Sequence, residues 1–89
     1  MSSRTTASFR KAFAVLPEDV QKRAREAFAL FSENPAHPSL HFKQVHTDQP
    51  IFSARITMDY RALARRADED WIWFWIGSHA DYDQLLKRL

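Results

Sequence analysis

The apolar residues of this chain change their spacing at one short segment, Pro35-Ala36-His37-Pro38. Before it they recur every three or four residues, as on one face of a helix, and after it they alternate, as in a strand. A residue that precedes proline avoids the helical region, so Asn34 is predicted to end the last helix of the first part. The chain is therefore predicted to fold as an α+β domain, with helices first and a sheet after them.

Two helices are predicted before the break, forming a hairpin with one buried face. Ser8 is the predicted N-cap of the first helix. Pro17 suits the first turn of the second helix, where Glu18 and Asp19 lie at its positive end. The apolar stripe of the first helix consists of Phe9, Ala12, Phe13 and Leu16. That of the second helix consists of Val20, Ala24, Ala27, Phe28 and Phe31.

Strands are predicted over residues 51–58, 60–67 and 71–76, with turns at Met58-Asp59 and at residues 68–70. The third strand is apolar on both faces, which suits a central position in the sheet. Strict alternation places Trp71, Trp73 and Trp75 on one face and Ile72, Phe74 and Ile76 on the other. A short helix over Ala80–Leu89 is predicted to follow, burying Tyr82, Leu85, Leu86 and Leu89.

The composition excludes several classes of protein. The 89 residues include no cysteine, which removes disulfide scaffolds, thiolate metal sites and a cysteine nucleophile. A single glycine, Gly77, excludes a glycine-rich phosphate loop. No apolar run is long enough for a signal peptide or a membrane span, so a cytoplasmic protein with no membrane contact is expected. Residues 1–89 are predicted to form one domain that needs no cofactor.

Net charge says little here, because thirteen basic residues face eleven acidic ones. Local charge is more informative. Residues 34–47 contain no acidic side chain, and Lys43, Arg55 and Arg61 lie in the strand-forming half of the chain. His37, His41 and His46 have no local carboxylate or thiolate to complete a metal site, so no metal is expected.

Several short segments, taken in order, resemble the RelE/ParE superfamily of bacterial type II toxin–antitoxin toxins. They are Leu16-Pro17, the passage from Asn34-Pro35 to Phe42-Lys43, Ser53-Ala54-Arg55-Ile56, Tyr60-Arg61-Ala62-Leu63 and the run from Ile76 to Tyr82. The resemblance covers nearly the whole chain, from Phe9 to Leu86. It implies a β-α-α-β-β-β-α layout with a short edge strand over Arg4–Ala7. We therefore expect a helical hairpin on a small antiparallel sheet of three or four strands, followed by a short helix.

The resemblance also implies a function and a partner. Many RelE-like members are ribosome-dependent mRNA endonucleases, whereas ParE-like members inhibit DNA gyrase without cleavage. Arg61 and the segment 79–82 are more similar to the nuclease branch. The chain is thus expected to be a toxin that acts on mRNA on the ribosome and is neutralised by a cognate antitoxin. A gyrase inhibitor and a degenerate toxin-fold binding protein are the alternatives.

Metal-free RNA cleavage needs a base for the 2′-hydroxyl, cations for the extra phosphate charge and an acid for the departing 5′-oxygen. The resemblance implies that His79 is the general acid, a role that Tyr82 shares or takes over. It implies that Arg61 stabilises the transition state. The alternatives are that His79 only caps the last helix and that Tyr82 is a half-buried packing residue. For Arg61, the alternative is a solvated strand arginine or one paired with an acidic turn.

The remaining candidates bind RNA or phosphate, namely Lys43, Arg55 and His41. The general base stays open between His41 and Lys43, because residues 34–47 lack an acidic residue that some family members carry. Whether Arg55 and Arg61 share a face depends on the register of the turn between their strands, which the sequence does not give. Trp75 is the one tryptophan near enough to His79 to stack on a nucleotide; the others are expected to be core.

Overall fold

A computed structural model describes residues 3–89 of the chain. The helices are α1 (Ala7–Ala14), α2 (Glu18–Glu33) and α3 (His79–Arg88), with a single 3-10 turn at Pro38–Leu40. The strands are β1 (Ser3–Thr5), β2 (Lys43–Gln44), β3 (Ile51–Arg55), β4 (Tyr60–Ala67) and β5 (Asp70–Ser78). Among the helices of this described range, none has the length and apolar character needed to cross a bilayer.

The five strands form one mixed sheet in the order β1-β5-β4-β3-β2. β2 to β5 are antiparallel neighbours, whereas β1 runs parallel to β5. The predicted α+β class is confirmed, but the sheet has five strands rather than three or four, and it is mixed rather than wholly antiparallel because β1 is parallel to β5. The two edge strands contain only three and two residues, which is too short for an apolar period to show.

The first helix begins earlier than the sequence predicts. Thr6 is its N-cap, since the Phe9 amide donates to Thr6 Oγ1 at 3.1 Å. Ser8 therefore lies inside the helix and is not the cap, and the edge strand ends at Thr5 instead of continuing to residue 7. Pro17 is the N-cap of α2, and the predicted Asn34 is its C-cap, directly after the last helical residue Glu33.

The sheet separates two apolar cores. On one face, the helical hairpin covers the sheet: the Phe31 ring lies edge-on against Trp73 and Trp71, with ring centroids 5.1 and 5.8 Å apart. On the other face, Tyr82 of α3 joins Ile51 and Leu63. Leu85 and Leu86 pack against this second core as predicted, but Leu89 is 46% exposed, because it follows the last turn of α3.

A bulge in β5 changes which tryptophans share a face. Leu63 pairs with Trp75 and Ala64 pairs with Trp73, so Phe74 is an extra residue in the ladder. Trp75 consequently joins the α3 core while Trp71 and Trp73 lie under the hairpin. The prediction that all three tryptophans share one face was wrong, because alternation cannot show a bulge. Ile76, predicted on the opposite face, returns to the hairpin side for the same reason.

Gly77 lets the Trp75 indole fold back onto β5. A Cβ atom at position 77 would lie 2.7 Å from Cζ2 of that indole, far inside van der Waals contact. The glycine is required here by close approach of a neighbouring ring rather than by its backbone angles, since no glycine has a positive φ in the described range.

We predict that Gly77→Ala lowers the free energy of unfolding by about 1–3 kcal/mol, because the added methyl overpacks this site. Urea denaturation of Gly77→Ala and Trp75→Leu, alone and combined, measures the effect. The penalty should shrink in the Trp75→Leu background, where the indole is absent. An equal penalty in both backgrounds would show that the close approach to Trp75 is not its cause.

Candidate active site

A pocket of about 160 Å³ opens on the sheet face that carries α3. The residues that line it are His41, Lys43, Ser53, Arg55, Arg61, His79 and Tyr82. Every site residue predicted from the sequence is among them, and Ser53 is the one addition. Elements far apart in the chain supply these side chains, so the fold brings the predicted set together at one place.

Strand register explains why the basic side chains converge. Arg55 and Arg61 are direct partners across β3 and β4, and therefore point to the same face. Lys43 of β2 pairs with Ser53 one step along the same face. On β5, Gly77 stands opposite Arg61 and contributes no side chain that would fill the pocket. The turn register thus answers the question that the sequence leaves open.

Arg61 is held by the turn that precedes it. Its Nη1 donates to the carbonyl oxygens of Thr57, Tyr60 and Met58 at 2.6, 3.0 and 3.2 Å. These acceptors are carbonyl groups, not the carboxylate of the turn residue Asp59. All three bonds use Nη1, which leaves the planar fork of Nε and Nη2 for an anion.

Arg55 is joined to a histidine and a thioether. Its Nη1 donates to Nε2 of His41 at 3.1 Å, and its Nη2 contacts Sδ of Met58. A guanidinium has only donors, so Nε2 of His41 must be the acceptor and that ring is neutral in this arrangement, with its hydrogen on Nδ1. His41 reaches the pocket from a left-handed backbone conformation, φ 44°, at the end of the 3-10 turn.

His79 is the first residue of α3 and is anchored at two points. Its amide donates to the Asp59 carbonyl at 2.6 Å, which fixes the helix start to the turn between β3 and β4. Its Nδ1 lies 3.1 Å from Oδ2 of Asp83, with the two side chains 47% and 54% exposed. A carboxylate only accepts, so Nδ1 carries a hydrogen and Nε2 is the nitrogen left for a ligand.

The helix cap belongs to the neighbouring residue. Ser78 is the N-cap of α3, because its hydroxyl accepts the Asp81 amide at 3.2 Å. The idea that His79 serves only as the cap is therefore incorrect. Tyr82 is buried between the Trp75 and His79 rings, at centroid distances of 6.4 and 5.9 Å, and forms the apolar wall of the pocket.

Asp83 is the residue that sequence reasoning missed. Its spacing of four from His79 places both side chains on one face of a helix, and this spacing was the available signal. Trp75, considered from the sequence as a ring that could stack on a nucleotide, is not among the residues that line the pocket. Its indole is half-buried against Tyr82 and over Gly77.

The pocket is strongly electropositive. Lys43, Arg55 and Arg61 bring three basic side chains to it, and no acidic side chain stands among the described residues that line it. Like charges directly opposite each other in a sheet are destabilising, so the Arg55–Arg61 pair favours an anion between the strands. Planar guanidinium groups suit the oxygens of a phosphate.

The other two histidines bond outside the pocket; Nε2 of His46 lies 3.1 Å from the carbonyl oxygen of Leu89. Nδ1 of His37 accepts the Ser39 amide at 3.2 Å, and Nδ1 of His46 accepts the amides of Asp48 and Gln49, each at 3.1 Å. Within residues 3–89, no group of three or more metal-ligating side chains comes together.

A sequence model of one protein family, described as the ParE-like toxin domain, matches residues 18–84. No curated protein matches the sequence.

Several solved structures match this chain over nearly the full length of both proteins compared. The RelB–RelE antitoxin–toxin complex from Methanococcus jannaschii superposes with a TM-score of 0.74 at 12% identity, covering 91% of this chain and 95% of that one. YafQ from E. coli gives 0.73 at 12% identity, covering 90% and 94%. The RelBE2 toxin–antitoxin complex from Mycobacterium tuberculosis gives 0.70 at 26% identity, covering 88% and 96%. The Methanococcus jannaschii and YafQ structures are each only 12% identical to this chain, so these two matches establish the fold alone.

We predict that the neutral forms of both pocket histidines carry their hydrogen on Nδ1. Long-range ¹H–¹⁵N spectra of the imidazoles report this directly. Asp83→Ala should change the distribution of the hydrogen between Nδ1 and Nε2 of His79 and leave His41 unchanged. Arg55→Gln should change the Nε2 resonance of His41 and leave His79 unchanged. Each variant is thus the control for the other ring. Rings that do not respond to loss of their partners would contradict the two hydrogen bonds.

Proposed function

We propose that this chain, which belongs to the ParE-like toxin domains of the RelE/ParE superfamily, is a ribosome-dependent, metal-independent mRNA endonuclease. The observation that carries the proposal is the pocket in which two arginines, a lysine and two histidines lie together. A protein that only binds gyrase has no need of histidines beside phosphate-binding arginines. Cleavage of mRNA in the ribosome would stop translation, which is the toxic effect.

The proposed reaction is attack of the 2′-hydroxyl on its neighbouring phosphorus. The phosphate gains negative charge in the pentavalent transition state, and the opposed guanidinium groups of Arg55 and Arg61 offset this charge. Their mutual repulsion is relieved further as charge develops, so the pair favours the transition state over the bound substrate. Lys43 contributes a third cation, which we assign to an adjacent backbone phosphate.

The departing 5′-oxygen needs a proton. We assign this step to Nε2 of His79 in its imidazolium form, since Nδ1 is engaged by Asp83. The Tyr82 ring lies 5.9 Å from the His79 ring, and we assign its hydroxyl as a second donor for the same oxygen. The positive charge that the reaction requires comes from side chains, so the proposed reaction uses no metal ion.

A cognate antitoxin is the proposed protein partner. Relatives of this fold are named as complexes with antitoxins, RelB–RelE and RelBE2 among them. The electropositive pocket favours an acidic antitoxin segment over it. The short strands β1 and β2 form the two edges of the sheet, and an edge strand is where an extended segment can add.

Inhibition of DNA gyrase is the second candidate, and the ParE-like description of the matching family favours it. Under this alternative the toxin acts by binding, and the histidines of the pocket have no catalytic part. A supercoiling assay with purified gyrase tests it, because pocket variants would then inhibit as well as the wild type.

We predict that induction of the wild type in bacteria arrests growth and creates new mRNA 5′ ends, which primer extension maps. His79→Ala should slow cleavage by about 10²–10⁴-fold through loss of the acid. Arg61→Ala should slow it by about 10²–10³-fold through loss of a charge stabiliser.

Arg65→Ala is the matched control. Arg65 is an exposed arginine of the same strand outside the pocket, so this variant should cleave as the wild type does. Growth arrest without new mRNA ends, equal in all four proteins, would refute the nuclease function and favour gyrase.

A further inference from the structure

Two histidines of the pocket have partners of opposite charge: His41 lies against the Arg55 guanidinium, and His79 lies against the Asp83 carboxylate. From this contrast we infer that His41 is the general base of the site, paired with His79 as the acid, and that Arg55 covers the base until substrate phosphate binds. This assignment rests on the proposed nuclease function and supplies the base that the sequence leaves open.

His41 is a better candidate base than Lys43 because its partner, the Arg55 guanidinium, can only donate a hydrogen bond to it. Nε2 of His41 accepts from Arg55 Nη1 at 3.1 Å, so its lone pair is directed at another side chain that lines the pocket. An arginine does not give up its proton, so this contact is compatible only with the neutral ring. The ammonium of Lys43 has three donors and no acceptor, and it would have to lose a proton before it could take one.

His79 has the complementary arrangement. The Asp83 carboxylate fixes the hydrogen on Nδ1 at 3.1 Å and compensates the charge of an imidazolium, whose second hydrogen is on Nε2. The two rings thus present different groups: Nε2 of His41 is an acceptor, whereas Nδ1 of His79 is a donor to a carboxylate. On this basis His41 accepts the first proton and His79 donates the second.

Arg55 connects substrate binding to exposure of the base. It lines the pocket together with His41 and Arg61, so a phosphate placed between the arginines lies within its reach. A charged phosphate oxygen is a stronger acceptor for a guanidinium than a neutral imidazole nitrogen. When Arg55 turns to the phosphate, Nε2 of His41 is released beside the nucleotide that carries the attacking hydroxyl.

The proton balance of the step is complete without a further reactant. The 2′-hydroxyl gives its proton to Nε2 of His41 as its oxygen bonds to phosphorus. The bond from phosphorus to the 5′-oxygen breaks, and that oxygen takes the proton from Nε2 of His79. The products are a 2′,3′-cyclic phosphate and a 5′-hydroxyl, and exchange with water restores both rings.

A sulfur atom in place of the bridging 5′-oxygen separates the two roles. A thiolate leaves without being protonated, so cleavage of such a linkage needs the base but not the acid. We would programme purified ribosomes with mRNA that carries this substitution at the mapped cleavage point, alongside ordinary mRNA. The variants are His79→Ala and His41→Asn; asparagine tolerates the left-handed backbone of position 41 and its amide is not a base.

On ordinary mRNA both variants should be slower by about 10²–10⁴-fold. On the sulfur-containing mRNA, His79→Ala should return to near the wild-type rate, whereas His41→Asn should stay slow. Rescue of both variants, rescue of neither, or wild-type cleavage of ordinary mRNA by His41→Asn would overturn the assignment. A wild type that leaves ordinary mRNA intact would instead refute the proposed function, and the assignment with it.

The covering role of Arg55 has a separate readout that needs no cleavage. Without phosphate, Arg55→Gln should shift the ¹⁵N resonance of His41 Nε2 relative to the wild type. Addition of inorganic phosphate to the wild type should shift the same resonance in the same direction. In Arg55→Gln itself, phosphate should have little further effect on this nitrogen. An unchanged His41 resonance in phosphate-saturated wild type would overturn the release of the base.

Discussion

Two arginines face each other directly across β3 and β4, and two carbonyl groups of the intervening turn and that of Tyr60 hold one of them in place. No carboxylate is available among the described lining residues to offset their charge. The pair is therefore least stable in the empty pocket and most stable around an anion. The histidines, the lysine and the buried tyrosine are arranged around this charge, which is why the pocket suits a phosphate that becomes more negative during reaction.

The scaffold that fixes this geometry depends on the exit of β5. The bulge after Trp73 turns the Trp75 indole toward α3, and Gly77 gives the indole room. Tyr82 then packs on the indole, and the amide of His79 binds the Asp59 carbonyl. Packing on one side of the sheet thus positions the proposed acid beside the turn that holds Arg61.

Much of this arrangement could be predicted from sequence, and the exceptions have physical reasons. The spacing of the apolar residues and the break at residues 35–38 predicted the helical hairpin, the three successive strands after it and the fold class. The resemblance implied Arg61, His79 and Tyr82, and the local charge of the strand-forming half added Lys43, Arg55 and His41. The bulge at Phe74 was invisible because alternation assumes an unbroken ladder, and β2 was too short to show a period. The opposition of Arg55 and Arg61 depends on turn register, and the partners of His41 and His79 depend on tertiary contacts, so neither could be found by spacing alone.

The chemistry of the cut ends tests metal-free transesterification at this pocket. Ribosomes programmed with a defined mRNA would be incubated with the purified protein, and the fragments analysed by mass spectrometry. The proposed mechanism predicts a 2′,3′-cyclic phosphate on the upstream fragment and a 5′-hydroxyl on the downstream fragment. It also predicts that an mRNA with a 2′-deoxynucleotide at the cleavage point stays intact. A 3′-hydroxyl with a 5′-phosphate, or cleavage of the deoxy-substituted mRNA, would contradict the mechanism.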